Sequence, residues 1–216
     1  MNNDKEIIFF LDHQFYQIDD SFNWQPISAD HFENKNNDVD LYLDCSHFSL
    51  IPDEIFNQLS EDQKENFITP NPSDFHFFSS SIPHISAKLF WCEKKTIIEL
   101  INSKAPGCNL KHFISPMLTN KISQTQLKYF ISKKFIYLVC INKNKIQVAN
   151  RFLIQNIDDA LYFILSLIKE SNLINTKFNF ECHGENNEEL TKKLKIIFPS
   201  SQFNIYPPSD LKSVFN

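Results

Sequence analysis

Residues 126–198, QLKYFISKKFIYLVCINKNKIQVANRFLIQNIDDALYFILSLIKESNLINTKFNFECHGENNEELTKKLKIIF, contain the clearest succession of secondary-structure signals in the chain. Three apolar runs joined by short polar links predict strands at 127–132, 135–141 and 145–154. Three further elements follow, an apolar helix, a strand and an amphipathic helix, at 158–169, 177–182 and 188–198. The order βββ-α-β-α predicts a mixed sheet backed by helices.

Two of these elements are apolar on more than one side. The strand at 135–141 has apolar residues on both faces, which is typical of a strand covered on both sides of a sheet. The helix at 158–169 is apolar almost all round, which predicts that it is deeply buried.

The first half of the chain also opens with three predicted strands, at 6–11, 15–18 and 22–27. The next run, 39–44, alternates apolar and polar residues and is predicted to be a half-buried strand. Helices, a hairpin and a short strand follow, at 53–59, 61–68, 75–79 with 85–91, 94–104 and 112–115. Ser60 and Gln63 fit a capping box at the start of the second helix. Because both halves begin β-β-β, the order of elements suggests a duplicated unit.

The length and composition allow one large domain or two small ones. The chain has 216 residues, of which 42% are hydrophobic and 22 are Phe, enough to build a core in either case. The polar, irregular segment 116–125 is the best boundary. We therefore predict an N-terminal domain at 1–123 with an inserted hairpin and helices, and a C-terminal domain at 124–216 that ends in a strand at 202–206.

Charge and targeting signals argue against several classes of protein. The formal net charge is −5 and no basic run stands out, so a nucleic-acid partner is not expected. The start is polar, unlike a secretory signal, and the apolar run 7–11 is too short to span a membrane. The odd number of cysteines, five, favours buried thiols without disulfides in a reducing compartment. We expect a cytoplasmic protein that binds neither nucleic acid nor membrane.

Several apolar motifs resemble the DUF3822 family of uncharacterised proteins from Bacteroidetes. They include the strands at 127–131 and 135–139, KIQVANRF at 145–152 and DDALYFIL at 158–165. The pairs Asn150/Phe152 and Asp158/Tyr162 match the family's Asn-x-Phe and Asp-x-x-x-Tyr features, and FSLIPDEIF at 48–56 resembles its Val-Pro-x-x-Leu-Phe stretch. The resemblance covers most of the chain. It implies an α/β, actin-like ATPase fold, with two ribonuclease H-like halves facing each other across a cleft.

Such a fold would grip phosphates with two hairpin loops of Asp-x-Gly type, because backbone N–H groups must approach the phosphate closely. In the first hairpin Asp12 matches the acidic position, but no glycine follows. In the second, Ser132, Lys133 and Lys134 stand where both would be. The resemblance also implies a glycine pair on the adenosine side, of which only Gly184 is present. We predict that the nucleotide loops are lost, that no cofactor is bound and that ATP is not hydrolysed.

These five residues are the candidate ligand-binding residues of the cleft. Lys133 and Lys134 either hold an anion or form a solvated turn, and Gly184 either contacts a nucleotide or only opens a turn into a helix. No catalytic residue and no metal ligand is assigned. Cys45/His47 and Cys182/His183 lack the spacing of a zinc site.

A ribonuclease H-like half can instead carry a two-metal nuclease, which needs carboxylates that converge from strand ends. Asp12 and Asp44 end two predicted strands, with Asp19 and Asp20 nearby in the sequence. Ordinary surface acids explain the same pattern, and the missing basic face counts against a nucleic-acid substrate. Arg151, the single arginine, is either an anchor for a carboxylate or an exposed strand residue.

The sequence therefore favours a two-lobed, non-catalytic binding or scaffold protein, a pseudo-ATPase. Its unidentified protein partner would lie in the cleft or across an exposed apolar edge. A residual nucleotide-binding ATPase and a divalent-metal nuclease are the enzymatic alternatives.

Overall fold

The structure is a computed structural model, and it describes residues 6–11, 13–18, 24–32, 39–118, 125–132, 134–142, 145–184 and 188–205. The chain forms two compact units, Met1–Pro116 and Met117–Asn216. Each unit contains a five-stranded sheet, and the first also contains a sheet of three strands. The predicted fold class, α/β with mixed sheets flanked by helices, is confirmed. The domain boundary at residue 123 stays a prediction.

The first unit contains eight strands and three α-helices among the described residues. In chain order they are β1 Glu6–Leu11, β2 Gln14–Ile18, β3 Trp24–Pro26, β4 Val39–Leu43, β5 His47–Pro52, α1 Asp53–Gln58, α2 Glu61–Ile68, β6 Phe75–Ile82, β7 Ala87–Lys94, α3 Lys95–Lys104 and β8 Asn109–His112. The larger sheet has the order β3-β2-β1-β4-β8, and the smaller has the order β5-β7-β6. In the larger sheet β1 to β3 are antiparallel, whereas β4 and β8 run parallel to β1.

The second unit repeats the layout of that larger sheet. Its elements are β9 Gln126–Ile131, β10 Phe135–Asn142, β11 Lys145–Leu153, α4 Ile157–Glu170, β12 Asn179–Gly184, α5 Glu188–Ile197 and β13 Gln202–Ile205. The order is β11-β10-β9-β12-β13, with an antiparallel β9 to β11 and with β12 and β13 parallel to β9. The β-β-β openings seen in the sequence therefore belong to two sheets with the same strand order and directions.

The core of the second unit lies between its sheet and the two helices α4 and α5. Alternate residues of the central strands, such as Leu127 and Tyr129, pack in one cluster with Ile164 and Leu194 of the helices. The strand β10 is buried along both faces from Phe135 to Ile141, as predicted. The helix α4 begins at a capping box between Asn156 and Asp159, which satisfies two amide donors at its start.

Two predictions about burial are wrong. The helix α4 is not deeply buried: only Ala160, Ile164, Leu167 and Ile168 are, and Tyr162 is 65% exposed, because the helix lies on the surface of the sheet and buries one side. Conversely, β4 is buried on both faces rather than half-buried. Its polar residue Asp40 is only 5% exposed, because Lys111 and Asn109 of the neighbouring strand satisfy its carboxylate.

Candidate functional site

The tip of the β9–β10 hairpin is described at Ser132, Lys134 and Phe135, which are joined by hydrogen bonds within the turn. The amide of Ser132 donates to the carbonyl oxygen of Phe135 at 2.9 Å. The Ser132 hydroxyl oxygen accepts hydrogen bonds from the amides of Lys134 and Phe135, each at 3.2 Å. Serine hydroxyls often bind nearby backbone groups in tight turns in this way. Two backbone N–H groups that a phosphate-binding loop would offer to its ligand are therefore already bound inside this hairpin.

Gly184 lies at the same end of the sheet as this tip. The strands β9 and β12 are parallel neighbours, and their last registered pair is Ile131 with Gly184. Ser132 follows Ile131 directly, so the structure brings Gly184 beside the hairpin tip. Gly184 is the final residue of β12 rather than part of the turn that follows the strand.

Three of the five predicted site residues, Ser132, Lys134 and Gly184, are thus placed at one end of the central strands of the second sheet. The side chain of Lys134 is exposed there. Asp12 and Lys133 lie outside the described residues. In the first hairpin the structure does describe His13, whose φ of 63° is in the left-handed region although it is not a glycine.

A cluster of four polar residues is buried on the other face of the second sheet, away from α4 and α5. We call it the buried charge cluster: Gln126, Lys128, Glu181 and His183, all 8% exposed or less. The ammonium of Lys128 lies 3.5 Å from a carboxylate oxygen of Glu181, and Nε2 of His183 lies 3.8 Å from the same oxygen. The side-chain amide of Gln126 donates to the other carboxylate oxygen.

The protonation of this cluster follows from its burial. Burial by itself would raise the pKa of the Glu181 carboxyl, but His183 and the charge of Lys128 outweigh it and hold that pKa below its ordinary value of 4.5. Burial lowers the pKa of Lys128 from its ordinary 10.5, and the carboxylate of Glu181 opposes this shift. Glu181 is therefore charged at neutral pH, and its carboxylate favours the charged form of Lys128.

The first unit holds an acidic residue at the corresponding place. Asp40 and Glu181 each lie three positions before the last residue of the central parallel strand, β4 or β12. Asp40 forms an ion pair with Lys111 of β8 and accepts a hydrogen bond from Asn109 at 2.7 Å. The repeated topology therefore carries a repeated buried carboxylate, with its lysine supplied from β8 in the first unit and from β9 in the second.

Sequence reasoning did not identify the buried charge cluster as a site. Lys128 and Glu181 are far apart in the chain, and a single charge in a strand ordinarily indicates a solvated position. One signal was present: Lys128 lies within the otherwise apolar run LKYFI and Glu181 within FEC, so two opposite charges interrupt two predicted strands.

The residues proposed for a nuclease are only partly described. Asp12, Asp19 and Asp20 lie outside the described residues, whereas Asp44 follows β4 and donates its amide to the carbonyl oxygen of Phe10 at 3.3 Å. Within the described ranges no group of three or more His, Cys, Asp or Glu side chains has the arrangement of a metal site. The five cysteines are all described, and none forms a disulfide.

The family model described as "Protein of unknown function (DUF3822)" matches residues 5–199. The chain belongs to the DUF3822 family. The resemblance inferred from the sequence motifs is thereby confirmed. Among curated proteins, none matches this DUF3822 sequence. No helix in the described part of the chain is long and apolar enough to cross a membrane.

Solved structures similar to this DUF3822 protein share its fold at low sequence identity. A Bacteroides thetaiotaomicron VPI-5482 protein with an actin-like ATPase fold and unknown function is 14% identical, with a TM-score of 0.71 over 97% of this chain and 95% of the other. The PilM–PilN type IV pilus biogenesis complex contains a chain 9% identical, with a TM-score of 0.54 over 91% and 85%. The cytoplasmic domain of EpsL, an inner membrane component of the Vibrio cholerae type II secretion system, is 11% identical, with a TM-score of 0.51 over 97% and 94%. These similarities establish an actin-like ATPase fold.

Arg151, in the Asn-x-Phe feature of this DUF3822 chain, has a packing role. Its guanidinium lies over the ring of Phe135, 4.7 Å from the ring centroid, and 6.0 Å from the centroid of Tyr137. A guanidinium over an aromatic face is attracted by the negative potential of the ring. Arg151 is half-buried on the outer strand β11. The sequence interpretation that it is an exposed strand residue is therefore wrong.

Proposed function

We propose that this DUF3822 protein is a non-catalytic binding or scaffold protein that retains the actin-like fold without working nucleotide loops. The observation that carries the proposal is the tip of the β9–β10 hairpin. There the Ser132 hydroxyl binds the amides of Lys134 and Phe135, the groups that would have to turn toward a phosphate. A triphosphate would have to break these bonds, and it would meet side chains where a phosphate loop has bare backbone.

A protein partner is the ligand class that we favour, in a cytoplasmic setting. Two structural neighbours support this choice, since one was solved as the PilM–PilN pilus biogenesis complex and the other is a component of a type II secretion system. The pilus and secretion assemblies are properties of those two neighbours. For this chain a partner-binding role is the proposal, with the candidate residues Asp12, Ser132, Lys133, Lys134 and Gly184 as remnants of the ligand site.

Calorimetric titration of the full chain with ATP and Mg²⁺ tests the loss of nucleotide binding. We expect no measurable binding heat, and sub-micromolar affinity would overturn the proposal in favour of a residual ATPase. A thermal-shift series separates the other alternative: stabilisation by Mn²⁺ alone, together with cleavage of oligonucleotides that is lost in Asp12→Ala, would establish a nuclease instead. Affinity purification from native lysate, with mass spectrometry, then identifies the partner.

A further inference from the structure

The strand β11 forms an open edge of the second sheet. In the order β11-β10-β9-β12-β13 it pairs with β10, and the described residues place no strand on its other side. It is nine residues long and contains neither glycine nor proline. Long edge strands of this kind offer a row of backbone donors and acceptors to an added strand, unless something covers them.

The register determines which residues present these groups. The amide of Ile154 donates to the carbonyl oxygen of Lys134, on the side of β10. Since the backbone groups of successive residues in an antiparallel ladder point to alternate sides, those of Ala149, Arg151 and Leu153 point outward from the sheet.

Side-chain amides of β11 itself occupy part of this edge. The outward amide of Arg151 donates to Oδ1 of Asn150 at 2.8 Å, and the side-chain amide of Gln147 donates to the carbonyl oxygen of Lys145 at 3.4 Å. Both bonds are at exposed positions and join neighbouring residues, so an incoming strand can replace them with backbone hydrogen bonds of similar strength.

The charge of β11 indicates the charge of the segment that it would bind. The strand carries Lys145 and Arg151 and no acidic residue, in a chain whose formal charge is −5. Lys145 is exposed, and Phe135 holds the Arg151 guanidinium at the sheet edge. At the end of the strand Leu153 is 70% exposed and offers an apolar contact. An extended segment with acidic side chains is complementary to this surface.

We propose that the β11 edge binds an extended, acidic segment of a partner protein as an added β-strand. The inference rests on the proposed binding function and names its surface and the chemistry of its partner. The segment pairs its backbone with Ala149, Arg151 and Leu153 and displaces the Asn150 side chain from the Arg151 amide. Because Lys145 is registered with Asn142 and Arg151 with Tyr137, the two cations lie on opposite faces of the sheet, and the segment places a carboxylate beside each.

The test uses the ¹⁵N-labelled full chain and a blocked nine-residue peptide of three Glu-Glu-Val repeats, which carries carboxylates on both faces of the added strand. We expect the amides of Ala149, Arg151 and Leu153 to shift and to become protected from hydrogen exchange. A peptide with Lys in place of Glu, and one N-methylated along its pairing edge, should each bind at least about tenfold more weakly, equivalent to about 1.4 kcal/mol. Lys145→Glu should weaken binding of the acidic peptide to a similar degree, whereas Lys169→Glu, at the exposed end of α4, should not.

Several results would overturn the inference. Equal affinity for the acidic and basic peptides would remove the charge argument, and indifference to N-methylation would remove strand addition. Sedimentation that shows self-association through β11, abolished by Lys145→Glu, would assign the edge to a second copy. If the peptide fails while the full chain still binds no ATP and retains a partner, only this surface is wrong. Binding of ATP would instead overturn the underlying function.

Discussion

Lys128 and Glu181 are registered partners on the parallel strands β9 and β12, and their charged atoms lie 3.5 Å apart. The lysine is 1% exposed. A buried ion pair contributes little relative to a well-packed apolar pair, but each partner depends on the other, because a single buried charge has lost its water without gaining a counter-ion. The two residues should therefore be replaceable together and not separately.

Lys128→Met tests this dependence. The substitution leaves the Glu181 carboxylate buried without its cation, and we expect the free energy of unfolding to fall by about 3–5 kcal/mol. Urea denaturation of the variant measures the loss. As a control, Lys192→Met removes an exposed ion pair with Glu188, and its effect should be within about 0.5 kcal/mol.

The double variant Lys128→Met with Glu181→Leu should recover most of the stability lost in Lys128→Met, because no unpaired charge remains. The same denaturation experiment gives the coupling energy between the two positions. Additive losses would show that the pair acts through volume alone and would contradict the account of this cluster.

The acid stability of the protein should depend on Glu181. Its pKa in the folded protein is below 4.5, so folding favours the charged form, and this contribution is complete above pH 4.5 and is lost as the pH falls through the folded pKa. We expect Glu181→Gln to flatten the pH dependence of the unfolding free energy below pH 4.5, the ordinary pKa of the carboxyl. Unchanged slopes in the two proteins would show that other carboxylates govern acid unfolding.

The turn at His13 stores backbone strain. Its φ of 63° is unfavourable for a residue with a bulky side chain, whereas asparagine tolerates the left-handed region. We expect His13→Asn to raise the free energy of unfolding by up to about 1 kcal/mol. Asn172, with a φ of 56° just after α4, gives the reverse control, since Asn172→Ala should destabilise the protein. Thermal unfolding measures both changes.

The Ser132 hydroxyl should stabilise the tip of the β9–β10 hairpin. Ser132→Ala removes the acceptor of the Lys134 and Phe135 amides, and we expect a loss of about 1 kcal/mol of unfolding free energy with faster hydrogen exchange at these two amides. Ser132→Thr keeps a hydroxyl and should behave like the natural protein. Equal exchange rates in all three would mean that the hydroxyl does not hold these amides in solution.

Local signals in the sequence predicted local structure well. The capping box between Ser60 and Gln63 is present, and β9, β10 and β11 begin and end within one residue of their predicted bounds. The strand predicted at 112–115 from its apolar residues is wrong, because these residues are apolar for burial in a turn and not in a strand. The strand β8 is Asn109–His112 instead, and Phe113 and Ile114 are buried in a turn in which the Ile114 amide donates to Nδ1 of His112.

In the candidate site too, one part could be predicted from the sequence and another part could not. Ser132 and Lys134 lie in one hairpin, whose lack of glycine is visible in the sequence, so the tip was predictable. The neighbours of Glu181 were not, because Lys128 meets it only through the parallel pairing of β9 with β12, which no nearby residue encodes. The ion pair of Asp40 was not predictable either, because the smaller sheet and three α-helices separate β4 from Lys111 on β8 along the chain.

Titration of the ¹⁵N-labelled protein with ATP and Mg²⁺, observed at the amides of Lys134, Phe135 and Gly184, tests the central claim most directly. If the hairpin amides are bound to Ser132 as described, these three resonances stay in place when ATP is present in large excess. Saturable shifts of Phe135 and Gly184 together would place a nucleotide at the end of β9 and β12, and would contradict the proposal that this actin-like fold works without one.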